Sequence, residues 1–156
     1  MWQMGDQDAD TGSGRRHVVV RFARTHPDAR PPSYARPGDA GLDLCAVETV
    51  TLEPGARHVF RTGIAVELPP GYVGLVWDRS GLGSRGITSF GGVIDRTYRG
   101  EIKVTLFNSG SEAYTVHSGD RIAQLLVQPI EEASLAEVAE LSATERGAEG
   151  FGSSGR

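Results

Sequence analysis

The chain has 156 residues, a formal net charge of −4 and a single cysteine, Cys45. The acidic balance gives no bulk attraction for a nucleic acid, and one cysteine with scattered histidines excludes an internal disulfide and a multi-cysteine zinc site. No apolar run approaches the length of a membrane-spanning helix, so we expect a cytoplasmic protein with neither a membrane nor a nucleic-acid partner.

Short apolar runs separated by turns follow one another along most of the chain and predict an all-β domain. Residues 1–16 are polar and glycine-rich, which predicts a disordered N-terminal segment. Gly63 is the candidate for a β-bulge in the longest run. Runs that are β-branched or alternate at period two predict strands at 17–23, 42–47, 49–54, 58–70, 72–78, 91–95, 101–108, 114–116 and 121–130.

The even spacing of these runs indicates a jelly roll, a sandwich or a barrel. Residues 134–141, SLAEVAEL, fit a helix and a final strand about equally well. We predict a β-domain over 17–142 and a flexible C-terminal arm over 143–156.

Two polar side chains interrupt apolar strands. Asp43 alternates with Leu42 and Leu44 and so faces away from their core, either as an exposed carboxylate or as the anchor of a metal-bound water or a phosphate site. Gln124 either lines a site or bonds a neighbouring strand, because a core strand rarely accepts an unpaired amide. The neighbouring Asp120 and Arg121 are interpreted as a structural ion pair.

The stretch WDRSGLGSRG, 77–86, offers the groups that bind a phosphate. Arg79, Ser80 and Gly81 place a guanidinium, a hydroxyl and an unobstructed backbone N–H side by side. The alternative is a glycine-rich turn without a ligand, and the stretch is not a P-loop because GxxxxGK[ST] is absent.

The stretch GGVIDRTYRGE, 91–101, predicts a β-hairpin with a carboxylate and an aromatic ring at its rim. Asp95 is a candidate general base for a water, and Tyr98 can wall a pocket for a flat ring. The alternative is an ordinary hairpin in which Asp95 forms salt bridges with Arg96 and Arg99.

The stretch RGAEGFGSSGR, 146–156, has the composition of a flexible tail, yet it contains a phenylalanine and an arginine at position 146. It is either plain disorder or a mobile arm that closes over a ligand.

Five stretches, taken together and in one order, resemble the five motifs of the trimeric deoxyuridine triphosphatases (dUTPases). The resemblance implies a jelly-roll-like or distorted β-barrel subunit in a homotrimer that shares active sites between subunits. It implies Mg²⁺-dependent hydrolysis of dUTP to dUMP and pyrophosphate, which keeps uracil out of DNA and supplies dUMP for thymidylate synthesis. The stretches are AGLDL (40–44), DRSGLGSRGI (78–87), GGVIDRTYRGE (91–101), GDRIAQL (119–125) and RGAEGFGSSG (146–155).

The resemblance implies a role for each matching position of the hairpin. Asp95 would orient the water that attacks the α-phosphorus and touch the sugar 3′-hydroxyl. Tyr98 would pack under the deoxyribose and leave no room for a 2′-hydroxyl, and the backbone around Gly92 and Ile94 would read the uracil edge.

It implies phosphate binding by Arg79, Ser80, Gly81 and Gln124, and it implies that Asp43 holds a water of the Mg²⁺ shell. The C-terminal arm would be a lid that closes over the nucleotide. Its contacts would come from Arg146 on the γ-phosphate, Phe151 stacked on uracil, and Gly152, Ser153 and Ser154 with nearby backbone amides.

Two positions depart from the family pattern. Asp78 stands where the family often has proline, which places a negative charge beside a phosphate site, and Ser89 stands where many members have asparagine.

Two rival functions belong to relatives of the same fold. A deoxycytidine triphosphate deaminase would carry a catalytic glutamate at the position of Thr105 and a second serine at the position of Gly81. A non-catalytic, nucleotide-gated regulatory protein would not need Asp95, Tyr98 and the complete arm.

Overall fold

Ten β-strands and one four-residue helix make up the regular structure within residues 17–148, the part of the chain that the computed structural model describes. In chain order they are β1 (Arg21–Arg24), β2 (Leu42–Cys45), β3 (Val50–Leu52), β4 (Arg57–Glu67), β5 (Tyr72–Trp77), α1 (Ser80–Gly83), β6 (Ile87–Phe90), β7 (Val93–Ile94), β8 (Glu101–Asn108), β9 (Tyr114–Val116) and β10 (Arg121–Pro129).

The strands form two four-stranded sheets and one two-stranded sheet. The first has the order β1-β4-β8-β6, the second has the order β2-β10-β5-β7, and β3 pairs with β9. Every pairing is antiparallel, and neighbours in each sheet are often distant in the chain. The predicted all-β, jelly-roll-like class is therefore confirmed.

Alternation along the strands builds one apolar core between the sheets. In β8 the even-numbered residues from Ile102 to Asn108 are buried, and the odd-numbered residues are exposed or half-buried. Two buried polar side chains are satisfied within the core: Thr62 Oγ1 donates to the Ile102 carbonyl at 2.6 Å, and Asn108 Nδ2 donates to the Leu52 carbonyl at 2.9 Å. Their hydrogen bonds remove the cost of burying polar groups.

The predicted bulge at Gly63 is present. The register of β4 against β8 shifts between Arg61 and Ala65, and Gly63 has φ +67°. The Gly63 N–H donates to Glu101 Oε1 at 2.8 Å, so the bulge is held by a side chain of β8. A side chain at this position would meet the Cβ atoms of Ala29 and His26 at 2.7 Å.

Four features differ from the sequence predictions. The first strand begins at Arg21 rather than at 17, and 134–141 forms neither a helix nor a strand. The helix α1 and the strand β6 were not predicted. The helix in the described part of the chain is not long and apolar enough to cross a membrane.

Candidate active site

Three adjacent strands bring together the first group of predicted site residues. In the sheet order β2-β10-β5, Gln124 of β10 lies opposite both Asp43 of β2 and Trp77 of β5. Gly41 makes this packing possible, because a Cβ atom there would lie 2.7 Å from Gln124 Oε1. The Gln124 amide donates to the Asp78 carbonyl at 2.8 Å, so it bonds the neighbouring strand end directly before Arg79.

The Asp43 carboxylate is the electrostatic centre of this group. Its Oδ2 accepts a hydrogen bond from Arg121 Nη1 at 3.0 Å, and its Oδ1 lies 3.5 Å from Arg79 Nε. Arg79 Nη1 also donates to the Arg121 carbonyl at 3.2 Å. The Asp43 side chain is only 13% exposed, so the pairing holds both guanidinium groups in place.

The predicted ion pair between Asp120 and Arg121 is wrong. Arg121 binds Asp43 on the neighbouring strand, and Asp120 Oδ2 accepts a hydrogen bond from the His117 N–H at 2.8 Å. Asp120 stabilises the turn before β10, whereas Arg121 belongs to the cationic group.

Arg79, Ser80 and Gly81 sit where β5 passes into α1. Ser80 and Gly81 are exposed, and a Cβ atom built at Gly81 would have no neighbour within 4 Å. Arg79 and Gly81 border an open cavity of about 300 Å³ that three arginines line. The lining residues are Arg79, Gly81, Leu82, Arg85, Tyr114, Val116, Asp120, Arg121 and Ile122.

Arg85 and Arg121 are residues that sequence reasoning missed as parts of this cavity. The Arg85 guanidinium carbon lies 5.8 Å from the centre of the Tyr114 ring, which orients it by a cation–π contact. Their signal in the sequence was an arginine close to candidate binding residues, in the turn after α1 for Arg85 and at the start of β10 for Arg121. Arginines are common at such exposed positions, so this signal was weak.

The second group of predicted residues lies on the hairpin between β7 and β8. Gly92 has φ +136°, and a Cβ atom there would lie 2.7 Å from the Cβ and the carbonyl oxygen of Val76. The Gly92 carbonyl accepts the Val76 N–H at 2.7 Å, so only glycine allows β7 to approach β5 this closely. Ile94 is buried and anchors the hairpin in the core, and Asp95 follows it as an exposed carboxylate.

The turn after Asp95 positions the aromatic ring. The Tyr98 N–H donates to the Asp95 carbonyl at 3.0 Å, and the Tyr98 hydroxyl donates to the Glu101 carbonyl at 3.0 Å. Any side chain at Gly100 would collide with the Tyr98 ring, so Gly100 allows the ring to fold back over the hairpin. Gly100 is a site-shaping residue that the sequence reasoning did not single out.

Arg99 of the same turn does not pair with Asp95. Arg99 donates to the Arg96 carbonyl at 2.6 Å and lies 3.4 Å from Glu67 Oε1. The contact favours the interpretation of Asp95 as a carboxylate available to a ligand over that of a salt-bridged surface residue.

The two groups stand apart within one chain. β7 pairs with β5 through Ile94–Gly74 and Val93–Leu75, so Asp95 lies toward the beginning of β5, whereas Arg79 follows its end. The three residue-to-residue steps from Gly74 to Trp77 alone span roughly 10 Å, and Asp95 and Arg79 lie beyond those limits.

Asp78 and Ser89, the two positions interpreted from the sequence as departures from the family pattern, contact each other. Asp78 Oδ1 accepts the Ser89 N–H at 2.7 Å and also the Ser89 hydroxyl, and Oδ2 accepts the Thr88 hydroxyl at 2.8 Å. Partial burial raises the pKa of Asp78, but the hydrogen bonds from Ser89 and Thr88 outweigh it, so the pKa lies below its ordinary value of 3.8. The carboxylate is therefore ionised at neutral pH.

The predicted residues of the C-terminal arm fall largely outside the described part. Arg146 is exposed and lies next to a turn in which the Gly147 N–H donates to the Thr144 carbonyl at 3.1 Å. Phe151, Gly152, Ser153 and Ser154 lie outside the described residues.

Comparison with known proteins assigns the family. A family model described as dUTPase matches residues 28–155. The chain belongs to the dUTPase family. A deoxyuridine 5′-triphosphate nucleotidohydrolase of Solibacter usitatus is 49% identical over 144 residues, which cover 89% of this chain and 97% of the relative. A protein of the same name from Thermobifida fusca is 50% identical over 142 residues, which cover 88% of this chain and 79% of the relative.

Solved dUTPase structures share the fold of this family member. The dUTPase of Staphylococcus bacteriophage 80alpha, solved with dUpNHpp, superposes with a TM-score of 0.84 at 32% identity, covering 90% of this chain and 100% of that chain. A mutant dUTPase from phage phi11 of S. aureus, described with a structural Mg(II) ion, has a TM-score of 0.75 at 29% identity, covering 81% and 100%. The resemblance drawn from the five motifs is confirmed, and the individual residue roles stay predictions.

Proposed function

We propose that the protein hydrolyses dUTP to dUMP and pyrophosphate. The observation that carries this proposal is the cationic cavity in which Arg79, Arg121 and Arg85 surround the open backbone of Gly81, on a chain of the dUTPase family. Relatives about half identical in sequence are named deoxyuridine 5′-triphosphate nucleotidohydrolases, and a structural neighbour binds the dUTP analogue dUpNHpp. We further propose that the reaction takes place in the cytoplasm.

The cavity binds the triphosphate chain in this proposal. Arg79 offers a fork of N–H donors to phosphate oxygens, and Ser80 adds a rotatable hydroxyl donor. The absence of a side chain at Gly81 lets a phosphate oxygen reach the backbone amides. Gln124 holds the start of the loop through its hydrogen bond to the Asp78 carbonyl, and it is proposed to contact the phosphate chain as well.

Asp95 is the general base in this proposal. Its carboxylate removes a proton from a water molecule as the water oxygen forms a bond to the α-phosphorus. The bond between the α-phosphorus and the bridging oxygen breaks, and pyrophosphate leaves with that oxygen. The transferred phosphoryl group carries spreading negative charge, which the arginine donors stabilise.

The hairpin selects the nucleoside. The backbone around Gly92 and Ile94 reads the uracil edge, and the Tyr98 ring lies under the deoxyribose, where a 2′-hydroxyl would collide with it. The hydrogen bond from the Tyr98 hydroxyl to the Glu101 carbonyl supports this role, because it fixes the ring without occupying either face.

In this proposal Mg²⁺ binds to the triphosphate of the nucleotide. Within residues 17–148 no group of three His, Cys, Asp or Glu side chains is arranged to hold a metal ion. Asp43 fits a water-mediated contact, since a carboxylate has about four acceptor positions and two guanidinium contacts leave some of them for a metal-bound water. When bound, the ion neutralises charge on the phosphate chain.

We infer that the complete site needs more than one subunit and that the assembly is a homotrimer. The separation of Asp95 from Arg79 along β5 favours a nucleotide that bridges the hairpin of one subunit and the cavity of another. Several large apolar side chains are exposed to solvent in the single chain, which supports further contacts between subunits. They include Trp77, Phe90, Val93, Leu135, Val138 and Leu141.

The C-terminal arm completes the proposal as a lid. Arg146, Phe151, Gly152, Ser153 and Ser154 would close over the γ-phosphate and the uracil and exclude bulk water.

Deamination is disfavoured by the position of Thr105. This residue lies on β8 between Val59 of β4 and Phe90 of β6, in the other sheet from the phosphate cavity, and a hydroxyl cannot shuttle a proton as a carboxylate does.

Pyrophosphate release from dUTP with Mg²⁺, measured beside dCTP, dTTP and UTP, tests the proposal. We expect release from dUTP alone. Ammonia from dCTP would indicate a deaminase, and dUTP binding without turnover would indicate a regulatory protein.

A further inference from the structure

The residue before the phosphate-binding loop connects both sheets. Asp78 follows β5 of the β2-β10-β5-β7 sheet, and its carboxylate binds Thr88 and Ser89 of β6, which belongs to the β1-β4-β8-β6 sheet. Its carbonyl accepts the Gln124 amide of β10 at 2.8 Å. One residue therefore ties the end of β5 to β6 and to β10.

The hydrogen bonds of Asp78 fix the position of the loop that begins at Arg79, because contacts within this loop do not fix it. Arg79 is the N-cap residue of α1 and has an extended backbone, with φ −105° and ψ 127°, but its side chain makes no capping hydrogen bond. The helix is four residues long, so it cannot fix its own position on the sheet. The hydrogen bonds of Asp78 to β6 and β10 supply this restraint.

Hydrogen bonds from β6 also stabilise the negative charge of Asp78. Both carboxylate oxygens accept hydrogen bonds from β6, and such charge-assisted bonds are among the stronger ones in proteins. The second departure from the family pattern, Ser89, supplies two of the three donors. Asp78 and Ser89 thus form one hydrogen-bonded unit.

On the basis that the protein hydrolyses dUTP, we propose that Asp78, Thr88 and Ser89 form a clamp that positions Arg79, Ser80 and Gly81 for the triphosphate. Asp78 is a positioning residue: it holds the loop from which Arg79 reaches Asp43 and the Arg121 carbonyl. Loosening the clamp displaces the donors of this loop while the sheets remain folded.

The test compares wild type with Asp78→Ala, Asp78→Asn and the double variant Thr88→Val/Ser89→Ala. Asp28→Ala is the matched control, because Asp28 is an exposed carboxylate whose ion-pair partner is His26 of the same turn. For each protein we would measure kcat and KM for dUTP, the Kd of dUpNHpp by calorimetry, and the melting temperature. The double variant removes two donors without changing Asp78, so the test does not depend on Asp78→Ala folding.

We expect Asp78→Ala and the double variant to lower kcat/KM and weaken dUpNHpp binding by about tenfold or more, at temperatures well below melting. Asp78→Asn should recover most of the loss, because its amide oxygen accepts the Ser89 donors and its amide nitrogen donates to the Thr88 hydroxyl. Asp28→Ala should match wild type.

Folded Asp78→Ala or double variants with kcat/KM and Kd within about twofold of wild type would refute the clamp. A change in melting temperature alone would also refute it, since it would show a structural role only. A wild-type protein that binds dUpNHpp but does not hydrolyse dUTP would instead refute the proposed function, which is therefore distinguishable from failure of the clamp.

Discussion

Two glycines of the same short helix provide a matched test of the phosphate-binding loop. Gly81 and Gly83 both lie in α1, both are exposed, and a Cβ atom at either would have no neighbour within 4 Å. Neither has the positive φ that strains an alanine. Gly81→Ala and Gly83→Ala therefore perturb the folded chain in the same way. They differ in one respect, because only Gly81 is proposed to contact a phosphate.

The expected effects on stability are small and alike. An alanine in place of a helical glycine stabilises by about 0.5–1 kcal/mol. For a domain of this size, that corresponds to a rise in melting temperature of about 1–4 °C for each variant. A methyl group at Gly81 keeps phosphate oxygens from the backbone amides, and losing a donor of this kind costs about 10²-fold or more in rate.

The assay is pyrophosphate release from dUTP with Mg²⁺, beside thermal unfolding. We expect Gly81→Ala to lose about 10²-fold in kcat/KM and Gly83→Ala to stay near wild type. Equal kcat/KM for the two variants would show that no phosphate approaches Gly81, and the assignment of the cavity to the triphosphate would be wrong.

Four further outcomes are expected. Asp95→Asn should keep the fold and dUTP binding and lose most turnover, because an amide cannot accept the proton of the attacking water. Trimers mixed from equal amounts of inactive Asp95→Asn and inactive Arg79→Ala subunits should regain activity at up to about one quarter of their sites. This follows because each site takes Asp95 from one subunit and Arg79 from another, and each is intact in half of the subunits. In urea unfolding, wild type should be more stable than Asp78→Asn at neutral pH, and the gap should narrow only as the pH falls below 3.8, because the folded-state pKa lies below that value. Deletion of 146–156 should leave a stable trimer with much weaker catalysis.

Each of these outcomes has a contrary result. Unchanged turnover of Asp95→Asn would remove that residue from the base role, and mixed trimers without activity would place Asp95 and Arg79 in the same subunit. If the difference in unfolding free energy between wild type and Asp78→Asn were the same at pH 2 as at neutral pH, it would not come from the ionised Asp78 carboxylate and its hydrogen bonds to β6. Full activity of the truncated chain would return the arm to an unstructured tail.

Most strands were predictable because alternation is a local property. Residues 101–106 alternate between polar and apolar side chains, and the strand predicted at 101–108 is present as β8 with its even-numbered residues buried. Gly63 interrupts the longest apolar run, and its φ of +67° is a conformation that other residues rarely adopt.

The failures arise where local pattern competes with distant contacts. SLAEVAEL at 134–141 has a repeating apolar pattern, but no regular element forms there within one chain because nothing covers Leu135 and Val138. The strand β6 was missed because its Thr88 and Ser89 look like loop residues, and their hydroxyls are used by Asp78.

The sequence by itself determined the strand-rich class, the family and the candidate residue types, because alternation, glycine positions and motif order are properties of the linear chain. Only the tertiary structure decided the partners: Arg121 pairs with Asp43 rather than Asp120, and Asp78 binds β6 rather than facing the phosphate site. Arg121 and Asp43 are 78 residues apart in the chain, and the Gln124 side chain is 46 residues from the Asp78 carbonyl that it binds. Side chains so distant in the chain meet only when antiparallel strands set the register between them.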